Sequence, residues 1–142
     1  MPKVHALMLE LKITNKVTFT GFVKNDELHR YLNSAHILLH TALFETGCAV
    51  IQEAMASGVV VVGTDVGILA DIGDEYAVIV PPGEALKLAE KTLHLVHDPV
   101  LYQEISKAAY RWITTYNAVW SYKNYKAFIE EVRRKDSREG RR

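Results

Sequence analysis

The stretch that most limits how this chain can fold is "SGVVVVGT", residues 57–64. Side chains of a strand alternate between its two faces, and four successive valines leave neither face polar. Such a strand must be covered on both sides, which is the situation of a central strand in a parallel sheet between two layers of helices. The segment before it, "AVIQEAMA", is rich in good helix formers and stops at Gly58, which suits the left-handed position just past a helix end. A helix that feeds a fully buried strand is the repeating unit of an α/β fold.

The rest of the chain reads in the same alternation. Val4, Leu7, Met8 and Leu11 fall at helical spacing within residues 3–12. "KVTFT" (16–20) reads as a short strand closed by Gly21. Residues 25–35 read as a helix capped by Asn25 or Asp26, and "HILLHT" (36–41) as a buried strand. A loop then leads to a helix starting near Gly47 and ending at Ser57. After the valine strand come a short turn-helix segment in "DVGILADIGD", a strand in "YAVIVPPG" (76–83) and a helix over 84–97. "HDP" stops that helix, and two more follow over 99–116 and 119–135. The fold class expected is α/β, a Rossmann-like parallel sheet with helices on both faces and right-handed crossovers. Ligands bind such sheets outside the C-terminal ends of the strands. Here those ends are residues 20–23, 41–47, 63–67 and 81–83.

The 142 residues, 49% hydrophobic and 24% charged, suit a single domain with a core of its own. Formal net charge is zero, so no overall field recruits nucleic acid or a membrane. Charge is uneven, since "RRKDSREGRR" from Arg133 carries six basic and two acidic residues. The organisation expected is a domain over 1–132 and a basic, flexible tail over 133–142. A lone cysteine, Cys48, excludes an internal disulfide and fits a reducing compartment. With no signal peptide and no membrane-length apolar run, the location expected is cytoplasmic, with peripheral attachment at the inner face of the membrane left open.

The chemistry concentrates in "FETGCAVIQEAMASG", residues 44–58. A helix starting near Gly47 aims free N–H groups at the crevice and offers an anion site. Glu45 precedes that end and Glu53 lies two turns along, up to roughly 12 Å away at 1.5 Å per residue. That exceeds the roughly 5–9.5 Å of a glycosidase pair. It suits an extended ligand with a phosphate in its middle, because a carboxylate accepts from two vicinal hydroxyls. Ala49, Ala56 and Ser57 keep the Glu53 side of the helix open to a ligand. An exposed helix glutamate beside a loop glutamate is the plainer alternative from spacing alone.

These residues resemble the glycosyl transferases group 1 family, retaining enzymes of family 4 with the GT-B fold. The resemblance runs through "VTFTGFV", "ELHRYLNSAHILLHTALFE", the E-x7-E pair with "AMASG", "GTDVG", "VIVPPGEALKLAEKTLHLVHDPVLYQEIS" and "TTYNAVWSYKNY", covering about 1–128. It implies the C-terminal nucleotide-sugar-binding domain, one half of a GT-B fold, that binds an NDP-sugar donor with UDP, GDP or ADP undetermined. It gives Glu45 the catalytic role of reading the transferred sugar. It gives Glu53 the ribose hydroxyls, and the backbone N–H groups of Thr46, Gly47 and Cys48 the diphosphate. Gly21 and Phe22 fall at the base-side loop and Gly67 beside the donor. No tightly bound cofactor and no metal ligand is implied. The acceptor, a sugar, lipid-linked or polysaccharide, would come through an N-terminal domain that this chain lacks, in polysaccharide or glycoconjugate biosynthesis.

The chain departs from the family pattern in four ways. Thr46-Gly47-Cys48 stands where the family has Gly-Phe-Gly, and Val60 where it has a proline. The opening strand with its Arg/Lys loop has no match, and neither has the acceptor domain. The isolated chain is therefore expected to bind donor without turning it over. The alternatives are a non-catalytic interaction domain on the same scaffold, a nucleotide-sugar epimerase half-domain, and a nicotinamide-binding domain. "GTDVG" is a poor match to G-x-G-x-x-G for the last of these.

Among the remaining residues, Cys48 reads as a small apolar side chain rather than a nucleophile. His94 and His97 make an incomplete metal pair. His36 and His40 read as ends of a strand, and Asp65 serves equally as a ribose reader or a turn former. The aromatic series Tyr110, Trp112, Tyr116, Trp120, Tyr122, Tyr125 and Phe128 reads as packing of the last two helices. No basic groove is interleaved with it, so nucleic acid is not an expected partner.

Overall fold

The computed structural model describes residues 2–139, with side chains from 3 to 135. Its elements follow in the order α1 (Pro2–Glu10), α2 (Asn25–Ser34), β1 (Ile37–His40), α3 (Ala49–Ala56), β2 (Val60–Thr64), α4 (Ile68–Ile72), β3 (Val78–Val80), α5 (Ala85–His97), α6 (Pro99–Thr115) and α7 (Ala118–Glu139). Short 3₁₀ turns lie at Thr14–Lys16 and Gly73–Glu75. Among the described residues the sheet has three parallel strands in the order β1-β2-β3. The architecture is the expected Rossmann-like α/β sandwich.

The valine run explains the layering. Val59 and Val61 join a core with Leu32 of α2, Ile51, Ala54 and Met55 of α3, Leu69 of α4 and Ala109 of α6. Val60 and Val62 point the other way, into a second core with Val78, Leu95 of α5 and Ile105 of α6. All four valines are essentially inaccessible. Each contributes roughly 1.5–3 kcal/mol by leaving water, so the strand anchors both layers at once. Gly58 takes φ +75 just past α3 and turns the chain from helix into strand.

Three local expectations are corrected. Residues 16–20 do not form a strand. Val17 is extended, at φ −124 and ψ 129, but no described strand lies beside the segment, and Val17 and Phe19 stay partly exposed. A strand needs a hydrogen-bonded neighbour, which composition does not reveal. The cap position of α2 is Lys24, without a side-chain bond, while Asp26 and Glu27 sit in its first turn, where the helix dipole favours acids. α3 starts at Ala49, with Cys48 at its cap position, two residues later than the Gly47 start expected.

Among the described residues β1 pairs only with β2, so it is less buried than its composition suggests, and Leu39 is exposed. The aromatic series divides. Tyr76, Trp112, Tyr116 and Trp120 form a continuous chain of ring contacts across the α6–α7 turn. Tyr122, Tyr125 and Phe128 of α7 are exposed instead of packed. The basic segment expected from residue 133 begins within α7, and residues 140–142 lie outside the described residues. Among the described residues no helix is long and apolar enough to cross a membrane.

Candidate functional site

The C-terminal ends of β1 and β2 lie side by side because the register pairs His40 with Gly63. A methyl group at Gly63 would fall 2.5 Å from Leu69 Cδ1 and 2.9 Å from the His40 carbonyl oxygen. Only glycine permits that approach, so the loop leaving β1 is drawn against the end of β2. Thr64 fastens it there. Its buried hydroxyl donates to the Ala42 carbonyl at 2.5 Å and, more weakly, to the His40 carbonyl at 3.5 Å.

The loop then brings Glu45 over the start of α3. The N–H groups of Thr46 and Gly47 both donate to Glu45 Oε1, each at 2.8 Å. The other oxygen, Oε2, lies 3.8 Å from His40 Nε2. The Gly47 and Thr46 N–H groups, chiefly, hold the Glu45 carboxyl below its ordinary value of 4.5. The partial burial of the group opposes this, and His40 and the Cys48 thiol add to it. Two of the three backbone N–H groups expected to meet a diphosphate, those of Thr46 and Gly47, are thus turned to an anion, and that anion is the chain's own carboxylate.

Gly67 closes the other side of the group. It takes φ +54, and a methyl group there would lie 2.9 Å from both Glu45 Cγ and the Glu45 carbonyl oxygen. Glu45, Thr46, Gly47, Cys48 and Gly67, assigned to one site by sequence, come together at the ends of β1 and β2. Glu53 does not join them. It is exposed, on the side of α3 that lines a groove of about 620 Å³ with Gln52, Tyr116 and Asn117, between α3 and the α6–α7 turn. Asn117 shapes that turn by accepting from the N–H groups of Val119 and Trp120.

Gly21 makes a turn at φ +65, and Phe22 is 92% exposed. Asp65 is exposed, and its N–H group extends the sheet by donating to the Val80 carbonyl at 2.8 Å. A smaller cavity of about 180 Å³ opens at the strand ends between Thr41, Leu43, Thr64, Val80 and Glu84. The cavity of about 580 Å³ beside β3, lined by Asp74, Glu90, Lys91 and His94, contains none of the assigned residues.

His40, Gly63 and Thr64 build the site without having been assigned to it. Gly63 had a sequence signal, a glycine inside a strand, which marks a close approach of another backbone. His40 and Thr64 had none, because their roles depend on the β1–β2 register.

Comparison with known proteins places this geometry in context. The family model described as "Glycosyl transferases group 1" matches residues 2–112. The chain is 27% identical over 112 residues to a 2-deoxystreptamine glucosyltransferase of Streptomyces kanamyceticus, covering 78% of this chain and 29% of that protein. It is 34% identical over 87 residues to a GDP-mannose-dependent alpha-mannosyltransferase of Mycobacterium tuberculosis, covering 59% and 23%. The chain thus spans less than a third of these relatives. Among solved structures, HepE of Anabaena in complex with UDP superposes with a TM-score of 0.82 at 22% identity, covering 92% of this chain and 36% of that one. The C-terminal domain of a glycosyl transferase group 1 family protein, LpcC of Francisella tularensis, gives 0.73 at 24% identity, covering 80% and 60%. At these identities the two structures speak for the fold.

Proposed function

Because the chain belongs to the glycosyl transferases group 1 family, we propose that it is the donor-binding half of a retaining glycosyltransferase that uses a nucleoside diphosphate sugar. The observation that carries this reading is the Glu45 loop. Two adjacent N–H groups converge on an anion at the C-terminal end of a parallel strand, with Gly67 packed on the same residue. Crevices at such strand ends are where open α/β sheets take ligands. HepE, its likeness in fold, has been solved with UDP and with UDP-glucose, and curated relatives are named for glucosyl transfer and for GDP-mannose.

In this reading the diphosphate replaces the Glu45 carboxylate on the Thr46 and Gly47 N–H groups. The displaced carboxylate swings toward the hydroxyls of the transferred sugar, and Glu53 takes the ribose from its groove. The charge that develops on the leaving diphosphate is met by dipoles already in place, the condition for electrostatic catalysis. The acceptor site belongs to a further domain, and the basic residues that complete diphosphate binding to an opening strand and loop of the donor-binding domain that have no match here, so the chain by itself binds donor without transferring it. Uracil, guanine and adenine remain equivalent for this site, since Phe22 at the base-side loop is exposed.

Titration with UDP, GDP and ADP, followed by amide chemical shifts, tests the reading. One nucleotide should shift the Thr46 and Gly47 amides in a saturable way, and Glu53→Ala should remove most of that response. The absence of any shift at those amides with all three nucleotides at millimolar concentration would overturn it.

A further inference from the structure

The Glu45 loop holds a second arrangement that donor binding does not use. His40, Glu45 and Cys48 each place one ligand atom within 4.8 Å of the other two. They follow the pattern H-x4-E-x2-C, from the end of β1, the loop and the cap position of α3. We propose that these three side chains form a binding site for a divalent cation of Zn²⁺ type, and that the metal locks the loop in its donor-excluding state.

The donor set is imidazole, carboxylate and thiolate, which is zinc chemistry. Mg²⁺ and Ca²⁺ require oxygen ligands, and soft thiolate selects against them. Three protein ligands leave one position of a tetrahedron for water. The surroundings are already arranged for ligation. Glu45 Oε1 is fixed by two backbone N–H groups, and Oε2 faces His40. A ligating carboxylate is ordinarily held by such outer hydrogen bonds, and here they exist before any metal arrives. His40 has unspent capacity. Its side chain is 13% exposed, Nδ1 is buried without a partner, and Nε2 lies too far from Oε2 for a hydrogen bond. The strand register fixes its backbone beside Gly63. When the metal binds, the Cys48 thiol gives its proton to solvent, the S–H bond is replaced by a sulfur–metal bond, and no electron is transferred.

The consequence for function rests on the donor reading. A metal on Oε2 keeps Glu45 folded back, with Oε1 on the Thr46 and Gly47 N–H groups. The diphosphate then cannot take those groups, so metal and nucleotide compete.

Co²⁺ reports on the site directly, because a thiolate ligand gives cobalt an intense near-ultraviolet charge-transfer band. The whole chain without an affinity tag, kept reduced, should develop that band to saturation at one Co²⁺ per chain, and Zn²⁺ should displace it. Cys48→Ser and Cys48→Ala should both abolish the band while amide spectra show an intact fold. His40→Ala should weaken binding at least about tenfold, the loss that even outer partners of metal ligands cost. Failure of the band to form, or its survival in both Cys48 variants, would overturn the proposal. A nucleotide titration repeated with Zn²⁺ present separates the two readings. If cobalt binds but no nucleotide ever does, the donor reading fails and the metal site stands. If nucleotide binds and no band forms, the metal site fails alone. If both bind without competing, the locking role is wrong.

Discussion

Glu45 and Glu53 belong to one sequence pattern and sit in opposite circumstances. Glu45 is held by two N–H groups, flanked by His40 and Cys48, and pressed against Gly67. Glu53 is exposed on α3, and its carboxylate accepts no hydrogen bond among the described residues. In the proposed reading, the first must be released before it can touch a sugar, whereas the second can accept hydroxyls as it stands. The two N–H groups that hold a carboxylate here would then take a phosphate in the donor complex. Donor binding, so proposed, is an exchange of anions at the Glu45 loop and a simple addition at Glu53.

That contrast should appear first in stability. Gly67→Ala adds a methyl group 2.9 Å from the Glu45 main chain at a positive φ. At φ +54 and ψ −135 the backbone lies where glycine is accommodated far better than alanine, at a cost of about 1–3 kcal/mol, and overpacking costs about 1–3 more. Urea unfolding should show a loss of about 2–6 kcal/mol, whereas Glu53→Ala should stay within about 0.5 kcal/mol of the parent. Equal losses from the two substitutions would erase the distinction between a tied and a free region.

A smaller effect is expected at Thr64. Thr64→Val keeps the shape but leaves the Ala42 carbonyl without its hydroxyl donor. The loss should be about 1–3 kcal/mol, and amide shifts should move at residues 42–47 rather than along α3. An unchanged loop spectrum would mean that Thr64 does not fasten it.

The mildest test is pH. Glu45 has a folded-state pKa below its ordinary 4.5, so its contribution is complete above that value and is lost as the pH falls through the lower, folded one. The Gly47 amide should titrate with a midpoint below 4.5. A midpoint at or above the ordinary value would mean that the folded-back carboxylate is not the dominant state.

Much of the fold was legible because one pattern, a run of valines with no polar position, admits few environments. It specified a central parallel strand, and Gly58 specified where the preceding helix had to stop. Residues 16–20 misled for the complementary reason, since β-branched and aromatic residues describe a strand's surface but not its neighbour. In the site, the placing of Gly67 beside the Glu45 loop was legible through the family resemblance. The folding back of Glu45 was not, because it depends on the φ and ψ of a short loop. His40 was invisible for a related reason. Its place beside Glu45 and Cys48 follows from pairing with Gly63 on another strand, a contact that sequence spacing does not encode.

The most direct measurement compares nucleotide affinity in Glu45→Ala and Glu53→Ala, using whichever of UDP, GDP and ADP binds the parent chain. None of these nucleotides carries a transferred sugar for Glu45 to read, so removing its carboxylate only frees the Thr46 and Gly47 N–H groups. The two substitutions should act with opposite signs. Glu45→Ala should bind severalfold more tightly, since about 1 kcal/mol of competing hydrogen bonding disappears. Glu53→Ala should bind at least about tenfold more weakly through loss of the ribose contacts. If Glu45→Ala weakened binding as much as Glu53→Ala, the carboxylate would not be occupying the diphosphate's place, and the exchange of anions would be wrong.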